Sequence, residues 1–341
     1  MNEDRRPTVI DVAREAKVAV GTVSRYLNGL NVRAATRTRL EQAIAKLDFR
    51  ANPLAQAIKS SRTRTLGFVT PSFDGFNAMI LTHLVEAFRS KGYSILIFSH
   101  AFETESMREA VMSAADRRID GLLFSGNAAA RGPLQSLVKV GVPVVIYNND
   151  IPDLNVDKVL VRDRLGAREA VRSMIALGHE RIGIATGDLD TQTALNRLEG
   201  YRDALDEAGH AHDPTLEFEG AWRRETGRDA TRDFLSRDKP PSAIFYSSDR
   251  IGRGGLDHLN HAGLTAGRDV DLVSFDDHEV FRMVNPGISA VAQPVIEIAT
   301  HVADLMATRL DGRAPNEGRT VRLDCTFIRR GSLNQRTMAV T

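Results

Sequence analysis

The sequence predicts a small all-α unit at the N-terminus, followed by an α/β body built on doubly wound parallel sheets. Three observations predict this. Residues 8–29 carry two short helical stripes in different phases, and from Leu66 onward β-rich runs alternate with helical patterns. Charge divides in the same place: residues 1–64 hold 13 Lys/Arg against 6 Asp/Glu, and the remainder holds 32 against 38. At 341 residues the chain exceeds one hydrophobic core and should form two or three domains.

In the first stretch, Val9, Val12, Ala13 and Ala16 fall at helical spacing and define one apolar stripe. Thr8 with Asp11 three residues on is a usable N-cap, and Pro7 keeps the chain extended before it. A second stripe of Val20, Val23, Ser24 and Leu27 restarts after Lys17-Val18-Ala19. Helices this short cannot bury a core alone, and Leu40, Ala43, Ile44 and Leu47 supply a third. Two short helices, a tight turn and a supporting helix describe a helix-turn-helix reader of DNA. The pattern alone equally accommodates a small helical bundle. The positive balance of residues 1–64 favours a polyanion partner.

Next, Asn52-Pro53 can open a further short helix, with Leu54, Ala55 and Ile58 as a small apolar face and a Ser/Arg/Thr-rich linker after it. Nothing there would be stable as an isolated helix. In the body, strand-like runs cover residues 66–70, 94–99, 121–125, 142–147, 159–161, 182–185, 243–246, 271–275 and 320–323. Helical stretches include residues 81–90, 106–117, 164–177, 198–208 and 255–261. Alternation at this spacing means parallel sheets with helices on both faces, and several runs are apolar throughout, as fully buried strands require.

Wording then narrows the reading. Asp11-Val12-Ala13, Gly21-Thr22-Val23-Ser24-Arg25 and Asn28-Gly29 resemble the DNA-binding headpiece of the lac repressor (LacI/GalR) family. Asp120-Gly121, Gly141-Val142-Pro143, Leu177-Gly178-His179, Gly200-Tyr201, Ser248-Asp249 and Phe275-Asp276-Asp277 continue the resemblance in order along the body. It implies a headpiece at 1–49, a hinge helix and linker at 50–65, an effector-binding and dimerisation domain at 66–331, and a tail at 332–341. The implied body is a periplasmic-binding-protein-like (type I) fold of two subdomains, 66–162 with 294–318 and 163–293 with 319–331. Three crossing strands would join them, the first near Val161-Arg162 and the second near Gln293-Pro294.

By the same resemblance, Val20 and Gly21 are the variable specificity pair, with Arg25 the guanine or phosphate contact one turn later. Thr8, Thr22 and Ser24 join this set, and Asn28, Arg33, Thr36 and Arg37 are expected on phosphates. Asn52, Ala55 and Ile58 belong to the hinge helix, with Ile58 where the family places its minor-groove wedge. The head departs from the family at Lys17 (glycine at the turn), Ala19 and Arg33 (serine caps) and Ala51 (proline). Lost caps cost about 1 kcal/mol each, and a side chain in a left-handed turn costs about as much. A marginally stable head is therefore expected.

For the effector, the resemblance points to Arg197, whose planar fork suits adjacent oxygens, to Asp276 as hydroxyl acceptor, and to Trp222 against a ring face. Asn148, Asn149, Ser248, Gln293, Phe73, Phe76 and Ser125 complete the expected set. Read without the family, Arg197 would pair with Glu199 or Asp190, and Trp222 would be core. Ser248 stands where asparagine is usual before Asp249, which weakens transfer of any one sugar identity.

Other classes fare worse. Phosphate-binding, dinucleotide, nucleophile-elbow and zinc-helix motifs are all missing, so no enzyme, cofactor or metal is expected. His258 and His261 share a helix face without a third ligand, and Asp276-Asp277-His278-Glu279 imitates a cation site. A single cysteine, Cys325, excludes a disulfide framework. No long apolar run or signal-peptide core occurs, so a soluble cytoplasmic protein is expected. The tail lacks leucine heptads, so no tetramerising helix is expected. The resulting expectation is a homodimeric transcription regulator, most simply a repressor, on a near-palindromic operator and answering to a carbohydrate-like effector. A corepressor-dependent regulator binding a purine, or a solute-binding transport protein sharing the body, are the alternatives.

Overall fold

The computed structural model describes residues 7–27, 30–49, 62–73 and 75–335. The chain divides into two compact units, Met1–Arg64 and Thr65–Thr341.

In the first unit, α1 (Val9–Ala16), α2 (Val20–Leu27) and α3 (Ala34–Lys46) enclose a core of Val12, Ala13, Ala16, Val23, Leu40, Ala43 and Phe49. The expected stripes meet there, except that Val20 turns outward and is 43% exposed. Thr8 opens α1: its backbone N–H and its hydroxyl both donate to the Asp11 carboxylate, at 2.9 and 2.6 Å. Lys17 adopts the left-handed conformation, φ 53°, where Val18 N–H reaches back to Ala13 C=O at 3.0 Å and closes the helix. Arg33 precedes α3 without a side-chain cap.

The second unit holds two six-stranded sheets. In chain order its elements are β1 (Thr65–Thr70), α4 (Gly75–Arg89), β2 (Ser94–Ser99), α5 (Thr104–Asp116), β3 (Gly121–Phe124), α6 (Arg131–Lys139), β4 (Val144–Tyr147) and β5 (Asp157–Val161). The chain then continues through α7 (Asp163–Ala176), β6 (Ile182–Thr186), α8 (Gln192–Glu207), β7 (Glu217–Glu219), α9 (Arg224–Leu235), β8 (Ala243–Tyr246), α10 (Asp249–His261) and β9 (Asp271–Phe275). Last come α11 (Glu279–Met283), β10 (Ser289–Ala292), α12 (Val295–Leu310), β11 (Thr320–Leu323) and β12 (Thr326–Ile328).

The strand orders are β11-β5-β4-β3-β1-β2 and β12-β10-β9-β8-β6-β7. The orders match: in each, the first strand lies inside, the second flanks it, and a strand from the C-terminal part completes the far edge. All pairings are parallel except β10 with β12. The buried strand runs explain this, since helices cover both faces. Leu66, Phe68, Leu123 and Val159 pack under α4 and α12, while Val69, Leu122 and Phe124 pack on the opposite side with α5 and α6. The second sheet is sandwiched in the same way.

Helices begin earlier than their apolar patterns: at Gly75 rather than Leu81, at Gln192 rather than Leu198, and at Asp249 rather than Gly255. For α10 the reason is packing. A Cβ on Gly254 would lie 1.8 Å from Arg224 C=O, one on Gly255 would meet the Tyr246 hydroxyl at 2.2 Å, and one on Gly227 of α9 would meet Ile251 C=O at 1.8 Å. Glycines that read as a loop are what allow α9 and α10 to touch.

The chain passes between the sheets three times, between β5 and α7, between β10 and α12, and between β11 and β12. Arg162 and Asp324 pair across the first and third passages at 3.1 Å.

Lys17→Gly removes a side chain from the left-handed region and should stabilise the first unit by about 0.5–1 kcal/mol. Amide exchange at Val12 and Leu40 in the folded protein should slow by about two- to fivefold; unchanged or faster exchange would contradict the strain at Lys17.

Candidate DNA-reading face and ligand cleft

In the first unit, the N-terminal part of α2 presents Ala19, Val20, Gly21 and Arg25 to solvent, with Thr22 and Ser24 half-buried beside them. A Cβ on Gly21 would meet nothing within 4 Å, so the helix there offers bare backbone to an approaching surface. Arg33 and Arg37 are exposed and Thr36 half-buried at the start of α3. Thr8 already donates to Asp11, so its hydroxyl is engaged within the first unit. Asn28, Asn52, Ala55 and Ile58 lie outside the described residues.

In the second unit, a cleft opens where the C-terminal ends of the strands of both sheets face each other. That is where doubly wound sheets bind ligands. It encloses about 790 Å³ including its mouth. Arg197, on α8, lies at its floor and is 2% exposed. Its Nε and Nη2 donate to Asp163 Oδ1 at 2.8 and 2.7 Å, and its Nη1 donates to Ser247 C=O at 2.6 Å. Asp276 Oδ2 stands 3.9 Å from Nη1, and the guanidinium stacks 3.6 Å above the Phe275 ring centroid. Gln293 Nε2 donates to Asp276 Oδ1 at 2.6 Å. Burial pushes the Asp163 carboxyl up to about 6, with Arg197 opposing the rise and Asp276 adding to it.

Two cleft residues take left-handed backbone directly after their strands, Asn148 at φ 71° and Asp276 at φ 67°. Asn and Asp tolerate that region better than most residues, and it projects their side chains at a strand end where the sheets meet. Trp222 is 8% exposed: it lines the cleft and also packs into the core beside it. Gly187 makes room for it, since a Cβ there would lie 2.3 Å from the indole.

Residues 8–52 match the bacterial regulatory proteins of the lacI family, and residues 171–333 match a periplasmic binding protein-like domain. The structure of the transcriptional regulator CelR in complex with cellobiose is 30% identical, covers 96% of this chain and 100% of its own, and superposes with a TM-score of 0.71. The chain belongs to the lacI family. This lacI-family member is also 29% identical over 330 residues to the ribose operon repressor of Haemophilus influenzae, covering 96% of this chain and 98% of the relative. The repressor CytR of Escherichia coli is 29% identical over 335 residues, covering 97% of each. A lac repressor dimer bound to operator and an anti-inducer shares the fold, with a TM-score of 0.84 at 23% identity over 97% of this chain and 100% of that one. The protein is therefore a DNA-binding transcriptional regulator, and the relatives named here are regulators rather than enzymes.

Within this lacI-family cleft, Arg197, Asp276, Trp222, Asn148, Asn149, Ser248, Gln293 and Phe76 are brought together along the walls. Some of them are already engaged. Asn149 Oδ1 accepts from the Thr193 hydroxyl at 2.5 Å and from its backbone N–H at 3.2 Å, and Ser248 Oγ caps α10 by accepting from Ile251 N–H at 3.3 Å. Phe73 stands apart, 52% exposed, and Ser125 is fully buried behind the lining. The carboxylate partner of Arg197 is Asp163 rather than Glu199 or Asp190; Glu199 pairs with Arg164 at 2.7 Å.

Sequence reasoning missed His100, Asn77, Phe102, Asp163, Asp188 and Thr193. Apart from Asp163 and Thr193, these follow strands β1, β2 and β6, so a search for polar and aromatic residues just beyond each strand would have found them. Asp277 is no cation ligand: Arg330 and Arg282 hold its carboxylate at 2.7 and 2.9 Å and, against the upward push of burial, keep it below the ordinary range. Among the described residues no group of three potential metal ligands assembles, and no helix is long and apolar enough to cross a membrane.

Asp163 carries a testable pH signature. Its carboxyl is raised to about 6 in the folded protein against an ordinary 3.8, so the folded state binds more protons between those values. Its contribution to stability is fully present below about pH 4 and is lost as pH rises through about 6. Asp163→Asn keeps an acceptor for Arg197 but cannot titrate. The denaturation midpoint of wild type relative to this variant should therefore fall from pH 4.5 to pH 7; a difference independent of pH would contradict the buried, raised carboxyl.

Proposed function

We propose that this protein is a repressor that acts as a homodimer on a near-palindromic operator and is controlled by a small polyhydroxylated effector bound in the cleft. Residues 50–65 serve as the hinge, the domain that follows binds effector and dimerises, and binding rather than turnover is its task in the cytoplasm. One observation carries the reading: the polar network of the cleft is built on the chain passages themselves. Asp163 begins α7 directly after the first passage, and Gln293 lies in the second. A ligand that engages Arg197, Asp276 and Gln293 therefore touches the segments that set the angle between the two sheets. Differential affinity for two such angles is what shifts a population. The carbohydrate class is supported by relatives described as a ribose operon repressor and a cellobiose complex. A purine corepressor is the second reading, which Trp222 and Phe76 on the cleft walls would also suit.

On the DNA side, Val20 meets a thymine methyl, Gly21 permits close backbone approach, and Arg25 supplies the hydrogen bonds to a base edge. Arg33, Thr36 and Arg37 meet phosphates. Arg25→Ala should cost about 1–3 kcal/mol and relax preference at one base pair per half-site. Equal weakening across all operator variants would make Arg25 a phosphate contact instead.

On the effector side, Trp222 is the only tryptophan, so its emission reports the cleft alone. Titration of sugars and nucleobases against it should find a ligand whose affinity falls at least tenfold in Arg197→Ala and in Asp276→Ala, since an unpaired buried group costs about 1–3 kcal/mol. Linkage requires both variants to blunt the effector's influence on operator affinity. An effector that shifts operator affinity equally in wild type and both variants would place its site elsewhere, and consumption of the ligand would make the cleft an active site.

A further inference from the structure

The cleft walls hold buried polar atoms whose hydrogen-bonding sense is dictated by their neighbours. His100, 1% exposed, sits just beyond β2 with Nε2 at 2.9 Å from Ser125 C=O. A carbonyl oxygen only accepts, so Nε2 carries the proton and Nδ1 is left as an acceptor. Nδ1 is buried and has no partner among the described residues. Burial lowers the basicity of this imidazole against the opposing pull of that carbonyl, which keeps the ring neutral. Gln293 is fixed by the same logic. Asp276 is an acceptor, so the amide must turn Nε2 toward it, and Oε1 is left buried without a partner among the described residues.

The positive charges of the cleft are meanwhile engaged within the protein. Arg197 directs three of its five N–H groups to Asp163 and Ser247, and its charge is met by Asp163. Arg253 holds Asp249 at 3.0 Å, and Arg250 lies over the Phe102 ring at 5.6 Å. The carboxylates of Asp188, Asp249 and Asp276 all line the space. The walls are therefore rich in acceptors and poor in uncommitted positive charge.

We propose that the cleft selects a neutral ligand offering hydroxyl or N–H protons to His100 Nδ1 and Gln293 Oε1, and rejects the phosphorylated and carboxylated members of the same chemical series. The inference rests on the effector reading of the cleft given above. Where a phosphate or carboxylate takes the place of a hydroxyl that meets these atoms, it brings only acceptors and negative charge, so it leaves a buried acceptor unpaired and faces Asp276 across low-dielectric space. A neutral polyol or nucleoside pairs them. Sites built around such unpaired groups discriminate strongly against ligands that cannot satisfy them. His100 thereby becomes a specificity-determining residue.

The test uses the full-length protein and matched pairs: D-ribose with D-ribose 5-phosphate, D-glucose with D-glucuronate, and adenosine with its 5′-monophosphate. Affinity is read by calorimetry and by Trp222 emission. The expected result is that a neutral member binds with a change in emission and its anionic partner binds at least tenfold more weakly. His100→Phe, which keeps a ring against Phe102, and Gln293→Met should each weaken the neutral ligand at least tenfold and narrow its advantage over the anion. If His100→Phe does not fold, Gln293→Met at its half-buried position decides alone. An anionic member binding as tightly as its neutral partner, with the emission change, would overturn the selectivity while leaving the cleft as the effector site. Unchanged affinity for the neutral ligand in the folded variants would overturn the roles of His100 and Gln293. No response to either member of any pair would overturn the cleft reading itself, and the selectivity with it.

Discussion

A guanidinium buried to 2% exposure is tolerable only if its charge is met, and Arg197 meets that constraint with residues from separate parts of the fold. Asp163 comes from the start of α7, Ser247 from the loop after β8, and Asp276 from the end of β9, which Gln293 then holds from the passage beyond β10. Taking any one away leaves a buried charge or acceptor without a partner. The network therefore ties the strand ends of the second sheet to two of the passages that lead to the first. It also explains the left-handed backbone at Asp276, because that turn delivers its carboxylate into the network.

Such a network can respond to a ligand because it is complete in one sense and incomplete in another. The positive charge is matched, whereas His100 Nδ1 and Gln293 Oε1 remain unpaired in the walls. A ligand that pairs them gains most when the walls stand at the separation that lets it reach both. On the proposed function, binding energy would in this way be converted into preference for one angle between the sheets. Side-chain contacts in the first unit include the pairs Lys46 with Glu15 and Tyr26 with Glu41. Its left-handed Lys17 and uncapped Arg33 fit a head whose stability leans on what it binds.

Much of the fold was legible because burial writes itself into period. The stripes of α1 and α3 and the apolar runs of β1, β3, β4, β8 and β9 are direct consequences of which faces meet the core. What was illegible had a different origin. Strand β7 is three residues at a sheet edge, Glu217-Phe218-Glu219, where Phe218 alone packs against the core and is too little to impose a pattern. Helix α10 was masked by the glycines that its close contact with α9 demands. In the site, Arg197, Asp276 and Trp222 could be placed through resemblance, whereas Asp163 and His100 could not. Their significance comes from topology, which brings the beginning of one helix and the end of an edge strand beside groups distant in sequence.

The central claim is that Arg197 and Asp163 act as one unit linking ligand to DNA. The measurement that tests it most directly is the ratio of operator affinities without and with saturating effector, determined for wild type, Arg197→Met, Asp163→Asn and the double variant. The account predicts that the ratio collapses toward one in each single variant and falls no further in the double, while effector-free operator affinity stays within about threefold of wild type, as residues of one network should behave. An intact ratio in either single variant, or losses that simply add in the double, would contradict it.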